Sequence, residues 1–177
     1  MTTITADFLS PKEQKLFDFV KEQHGNQVRK YTGEPYTNHL LEVAYELNTL
    51  PKKEHLIPIA LCHDLFEDTE CTPRELEYTL TLLFGYGYYV YCHNKIKMLT
   101  DEYTHVKYPD LNREKRKEME AVRLHKTFDY AAQTVKCADI ISNTKSIVEH
   151  DPKFAEIYLK EAENLLAGLT EADKTIY

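Results

Sequence analysis

The sequence predicts an all-α fold, and three features carry that prediction. Of 177 residues only 5 are glycine and 7 proline, while Leu, Glu, Lys and Ala fill the long segments. Two capping boxes, Ser10-Pro11-Lys12-Glu13 and Thr72-Pro73-Arg74-Glu75, mark helix starts: a hydroxyl at the N-cap, Pro at the first helical position and Glu three residues after the cap. Strand-like composition is confined to Tyr86 to Tyr91, which continues a helical pattern on both sides. The length suits one domain with a continuous core, and no internal repeat, low-complexity tract or linker interrupts it, so a single helical bundle over 1–177 is expected.

Taken in order, the first helix begins at the Ser10 cap, shows an apolar side of Leu16, Phe17, Phe19 and Val20, and stops at Gly25. His24 beside that stop reads as a partner for the negative end of the helix dipole. Asn26 to Pro35 is loop-like, punctuated by Gly33 and Pro35, and carries the basic pair Arg29-Lys30. A second helix covers about Thr37 to Leu47, with His39 near its start. Pro51 precedes a third, in which Pro58 predicts a late start or a kink near Leu56-Ile57.

The Thr72 box opens a fourth helix that uses Leu76, Leu80 and Leu83-Phe84 and ends at Gly85. Tyr86 to Leu99 is expected as a fifth, largely buried helix. After a polar loop with Pro109 comes a charged helix from about Asn112 to Phe128. Its cations Arg113, Lys115, Arg116 and Lys117 alternate with Glu114, Glu118 and Glu120, the pattern of a solvated face. Ala132 to Val148 forms another helix, on which Lys136, Asp139 and Asn143 share a face. Asp151-Pro152 caps a last helix, about 152–168, with Phe154, Ile157, Tyr158 and Leu165 as its apolar stripe.

Composition excludes several classes. A formal net charge of −7 argues against broad nucleic-acid binding, so an anionic ligand must be met by local cations or a metal. The four cysteines, Cys62, Cys71, Cys92 and Cys137, have no Cys-x-x-Cys spacing and read as reduced thiols of a cytoplasmic protein. Met1 to Asp7 lacks the basic and apolar regions of a signal peptide, and no apolar run approaches membrane-spanning length.

The chemistry concentrates in Ala60 to Thr69. His63, Asp64, Glu67 and Asp68 place an imidazole and three carboxylates within six residues at the end of an apolar segment. On a continuous helix His63 would lie over Glu67, and Asp64 over Glu67 and Asp68. Carboxylates crowded there repel unless a proton or a cation relieves them, and a divalent metal is the strongest relief. Taken alone, such a cluster is also compatible with a solvated helix end.

The ordered set His39, His63-Asp64, Asp139 has the H…HD…D order of HD-domain phosphohydrolases. Arg29-Lys30 through Gly33-Glu34-Pro35-Tyr36 to His39, then His63-Asp64-Leu65-Phe66-Glu67-Asp68-Thr69, then Val135-Lys136-Cys137-Ala138-Asp139 with Asn143, resembles the hydrolase domain of RelA/SpoT-type alarmone enzymes. The resemblance covers roughly Lys12 to Val148. No room remains for a synthetase domain, which points to the small stand-alone hydrolases such as the metazoan SpoT homologue.

The resemblance implies an all-α HD-domain bundle in which His39, His63, Asp64 and Asp139 ligate one divalent metal, Mn²⁺. It implies that Glu67 and Asp68 act on the attacking water, and that Arg29, Lys30 and Asn143 bind the nucleotide. The implied reaction is hydrolysis of the 3′-diphosphate of guanosine 3′,5′-bis(diphosphate), ppGpp, or a related alarmone. The implied partner is a small nucleotide rather than nucleic acid or membrane, and a homo-oligomer fits the reading. Ile140, Ser142 and Lys145 depart from the family's usual residues and leave the nucleotide open: another small nucleotide, or a non-catalytic alarmone sensor, is the alternative.

Overall fold

The computed structural model describes residues 4–176. Residues 1–3, part of the N-terminal stretch read above for signal features, lie outside the described residues. The expected all-α class is what is found: a short 3-10 turn (Ala6–Phe8) is followed by α1 (Pro11–His24), α2 (Thr37–Glu46), α3 (Lys53–Cys62), α4 (Leu65–Asp68), α5 (Pro73–Phe84), α6 (Tyr86–Leu99), α7 (Arg113–His125), α8 (Tyr130–His150) and α9 (Pro152–Leu166). Among the described residues the β structure is one isolated antiparallel bridge, Val28 with Pro35. The chain divides into two compact units, 1–100 and 101–177.

In the first unit α3 is the buried centre. Every residue from Leu56 to Cys62 is buried, and α1, α2 and α6 pack against it. Apolar side chains on all sides make a helix that can exist only when covered. Leu16 and Val20 of α1, Leu40 and Val43 of α2, and Leu76 and Leu80 of α5 are fully enclosed in this unit. Burial of this kind stabilises by about 1.5–3 kcal/mol per large side chain.

Both predicted capping boxes form. Ser10 and Thr72 each accept from the backbone N–H of the residue at N3, and Glu13 and Glu75 each accept from the cap's own N–H at 2.7 and 2.8 Å. Gly25 and Gly85 end α1 and α5 at φ of 54° and 95°, which residues with a Cβ rarely adopt.

Three expectations need correction. Of the two outcomes expected at Pro58, a late start or a kink, the late start does not occur: the helix begins at Lys53 and runs through the proline. Pro58 has no N–H for the Glu54 carbonyl, and the Tyr88 hydroxyl from α6 donates to that oxygen at 3.2 Å and to the His55 carbonyl at 3.3 Å. Second, α6 is not largely buried: Tyr89, Cys92, Ile96 and Leu99 form a buried stripe, while Tyr86 and Val90 are exposed. Third, Ile157 does not belong to the apolar stripe of α9; it is exposed, and Ala155 and Ala162 are the residues enclosed there.

In the second unit α9 packs on both α7 and α8. Leu124, Cys137, Ile140, Ala162, Leu169 and Ala172 form its core, with Tyr158 and Leu165 against it. The segment after α9 is tied to α8 by polar bonds: the Glu171 N–H donates to Gln133 at 2.8 Å and the Asp173 N–H to Thr134 at 3.0 Å. Both α8 residues are buried, so these bonds satisfy groups that would otherwise cost about 1–3 kcal/mol each.

Candidate active site

In the first unit the site grows from a break between α3 and α4. His63 and Asp64 do not continue the α3 helix as expected; they form a turn, and the short α4 restarts at Leu65. Asp64 sits at φ −96°, ψ 0°, and its carbonyl accepts from the N–H groups of Glu67 and Asp68 at 3.1 and 2.9 Å.

His39 on α2 and His63 are both buried, and a ring nitrogen of one lies within 4.8 Å of a ring nitrogen of the other. Their Nε2 atoms converge on Asp64 Oδ2, His63 at 3.0 Å and His39 at 3.7 Å. The Ala60 carbonyl is 2.7 Å from His63 Nδ1, and because a carbonyl only accepts, Nδ1 carries the proton. In the neutral ring the Nε2 lone pair then points toward Asp64. Two lone-pair donors facing one another are what a cation between them relieves, so these residues fit a divalent metal.

Tyr36 completes the arrangement. Its hydroxyl donates to Asp64 Oδ2 at 2.7 Å, and its ring meets His39 edge-on and stacks on His24. The sequence assigns Tyr36 no role; its place between the Arg29-Lys30 pair and His39 is the signal that marks it. His24 is likewise no mere dipole partner, being buried with Nδ1 bonded to Gln27 at 2.7 Å.

Among the other predicted residues of this unit, Glu67 and Asp68 are exposed on α4, and Asp68 Oδ2 accepts from Gln27 Nε2 at 3.1 Å. Arg29 and Lys30 rise from a tight turn in which the Arg29 N–H donates to the Glu34 carbonyl and the Gly33 N–H donates back to Arg29. The Arg29 guanidinium is held by Glu42 of α2 at 2.8 Å. Lys30 is exposed, with its ammonium over the Tyr31 ring.

Asp139 and Asn143 belong to the second unit. As the spacing predicted, Lys136, Asp139 and Asn143 share one face of α8: Lys136 Nζ lies 2.8 Å from Asp139 Oδ2, and Asn143 donates to Oδ1 at 2.6 Å. They line a cavity of about 140 Å³ with Arg113, Lys117 and Tyr158. Here the reading of α7 as a solvated face is incomplete. Lys115 and Glu118 do pair in solvent, but Lys117 turns to Asp101 at 2.6 Å and Arg113 grips Glu161 with two bonds of 2.8 Å.

Charge tunes this cavity. Burial pushes the Asp101 carboxyl up, but Lys136, Lys117 and Arg123 outweigh it and hold the group below the usual carboxylate range. Burial, reinforced by the Asp139 carboxylate, pushes the Tyr158 phenol up, so its proton stays available for donation. Ile140 lines the same cavity from the core, Ser142 is buried, and Lys145 is exposed.

No family model matches the chain. Curated relatives do. A guanosine-3′,5′-bis(diphosphate) 3′-pyrophosphohydrolase of Aquifex aeolicus is 47% identical over 64 residues, 36% of this chain and 9% of that protein. A GTP pyrophosphokinase rsh of Brucella ovis is 33% identical over 136 residues, 75% of this chain and 16% of the relative. This chain is a relative of the RelA/SpoT-type alarmone enzymes.

A guanosine-3′,5′-bis(diphosphate) 3′-pyrophosphohydrolase of Spiroplasma citri extends the likeness to such enzymes over 88% of this chain, at 28% identity and 20% of that protein. The chain thus spans a fifth or less of the length of these curated RelA/SpoT-type relatives. Among solved structures, a metazoan ortholog of SpoT that hydrolyzes ppGpp and plays a role in starvation responses matches with a TM-score of 0.74. That likeness covers 95% of this chain and 90% of the other at 22% identity, and establishes the shared fold.

Proposed function

We propose that this chain is a cytoplasmic, metal-dependent hydrolase of guanosine 3′,5′-bis(diphosphate), working as one HD domain and releasing pyrophosphate and the nucleoside 5′-diphosphate. The observation that carries the reading is the convergence of the His39 and His63 Nε2 atoms on Asp64 Oδ2 in a chain related to enzymes of that name. His39, His63 and Asp64, joined by Asp139, would hold one divalent ion; Mn²⁺ suits two imidazoles and two carboxylates. When bound, such an ion supplies Lewis acidity toward a phosphoryl oxygen.

The remaining work falls to side chains. Glu67 and Asp68 orient a water and take its proton as its oxygen bonds to the phosphorus attached to O3′. The P–O3′ bond breaks in line, and O3′ leaves as a hydroxyl after accepting a proton. Arg29 and Lys30 grip the base and phosphates, the first pre-aimed by Glu42, and Asn143 contacts the ribose. Among the described residues no helix is long and apolar enough to cross a membrane.

The test is metal and turnover together. Asp64→Ala should lose stoichiometric Mn²⁺ by elemental analysis and lose pyrophosphate release, and chelation of the wild type should do the same until Mn²⁺ is restored. An Asp64→Ala protein that is metal-free and fully active would contradict the proposal.

A further inference from the structure

Gln27 lies outside every residue assigned so far, yet it joins a buried histidine to Asp68. Its position is fixed locally. Gly25, at φ 54°, lets the chain turn sharply after α1, so that the Gln27 N–H donates to the His24 carbonyl at 3.0 Å. The Gln27 carbonyl accepts from the Tyr36 N–H at 2.9 Å, which pins the other side of the loop.

The side-chain amide can be oriented from its partners. An ionised Asp68 only accepts, so the group 3.1 Å from Asp68 Oδ2 is the Gln27 NH₂. Gln27 Oε1 therefore faces His24 Nδ1 at 2.7 Å, and Nδ1 carries the proton. His24 cannot easily turn away: it is 5% exposed and its ring stacks on Tyr36 with centroids 5.2 Å apart. Its Nε2 is buried with no hydrogen-bond partner among the described residues. The imidazole is thus kept in the core while its single polar contact aims Gln27, whereas Asp68 stands exposed on a helix of four residues with little else to fix its rotamer.

We propose that Gln27, aimed by the buried His24 imidazole, is a positioning residue that holds one oxygen of Asp68 so that the other meets the attacking water. The proposal rests on the hydrolase reading above, in which Asp68 acts on that water. Loss of the contact leaves the carboxylate chemically intact and misplaced, which lowers the rate of the chemical step without weakening substrate binding.

The experiment joins steady-state kinetics on guanosine 3′,5′-bis(diphosphate) with Mn²⁺ to NMR of the Gln27 side-chain amide in the metal-free full chain. Gln27→Leu removes the link. His24→Phe keeps a ring against Tyr36 without a donor, and His24→Asn restores a donor near the place of Nδ1. In Gln27→Leu and His24→Phe, kcat should fall roughly tenfold to a hundredfold with KM and Mn²⁺ affinity unchanged, and His24→Asn should recover most of the loss. The Gln27 amide resonances should move in both His24→Phe and Asp68→Ala.

An unchanged kcat in Gln27→Leu, or a Gln27 amide indifferent to Asp68→Ala, would overturn the proposal. So would a loss that follows the melting temperature and is not recovered by His24→Asn, since that marks a purely structural role. A wild-type protein that does not turn the nucleotide over would instead remove the hydrolase reading, while the amide shifts would still decide whether Gln27 holds Asp68.

Discussion

Asp64 Oδ2 accepts from Tyr36 and faces both imidazoles, so one oxygen atom organises the first unit's polar centre. The Tyr36 hydroxyl fixes the direction in which this carboxylate offers its charge, a task that outer partners of metal ligands commonly perform. Tyr36→Phe keeps the ring against His24 and His39 and removes only the donor. Its Mn²⁺ affinity should fall about tenfold or more, read by titration of the metal-free protein, with little change in melting temperature. At this scale the sequence displayed which residue types cluster, because His63, Asp64, Glu67 and Asp68 are neighbours in the chain. It did not display Tyr36 to Asp64 or Gln27 to Asp68, contacts that span 28 and 41 residues and follow from packing rather than spacing.

Helices α1 and α5 were legible to the residue because their stop and start signals are local: Ser10 and Thr72 cap, Gly25 and Gly85 terminate. The course of α3 was not, since a proline in a helix reads as a defect until its remedy is seen. That remedy is Tyr88, 34 residues away from Glu54, whose hydroxyl serves the carbonyl that Pro58 leaves unmatched. Tyr88→Phe should therefore destabilise the protein by about 1 kcal/mol, measured by urea unfolding, while Tyr86→Phe on the exposed side should be close to neutral. The break after Cys62 was equally hidden, because Leu65 is apolar and in register with a continuing helix. The turn at 63–64 is selected by the polar partners of His63 and Asp64, not by propensity.

For the chain as a whole, scarce glycine and proline and an abundance of helix-forming residues pointed to the all-α class that is found, since helix preference is a property of bulk composition. All four cysteines are free and buried, and burial pushes their thiols up, Cys71 to about 11 and both Cys92 and Cys137 to about 12. Thiolate is the reactive form, so the folded chain should resist iodoacetamide at pH 8 and label at four sites in urea, counted by intact mass. The proposed function could be framed from the sequence because His39, His63-Asp64, Glu67-Asp68 and Asp139 stand in a recognisable order, whereas contacts such as Tyr36 to Asp64 and Gln27 to Asp68 could not be read there. The most direct test is incubation of the purified chain with guanosine 3′,5′-bis(diphosphate) and Mn²⁺, with products separated by anion exchange beside a Glu67→Ala, Asp68→Ala control. Release of guanosine 5′-diphosphate and pyrophosphate, lost in the control, is the predicted result; no release by the Mn²⁺-loaded wild type, or equal release by the control, would contradict it.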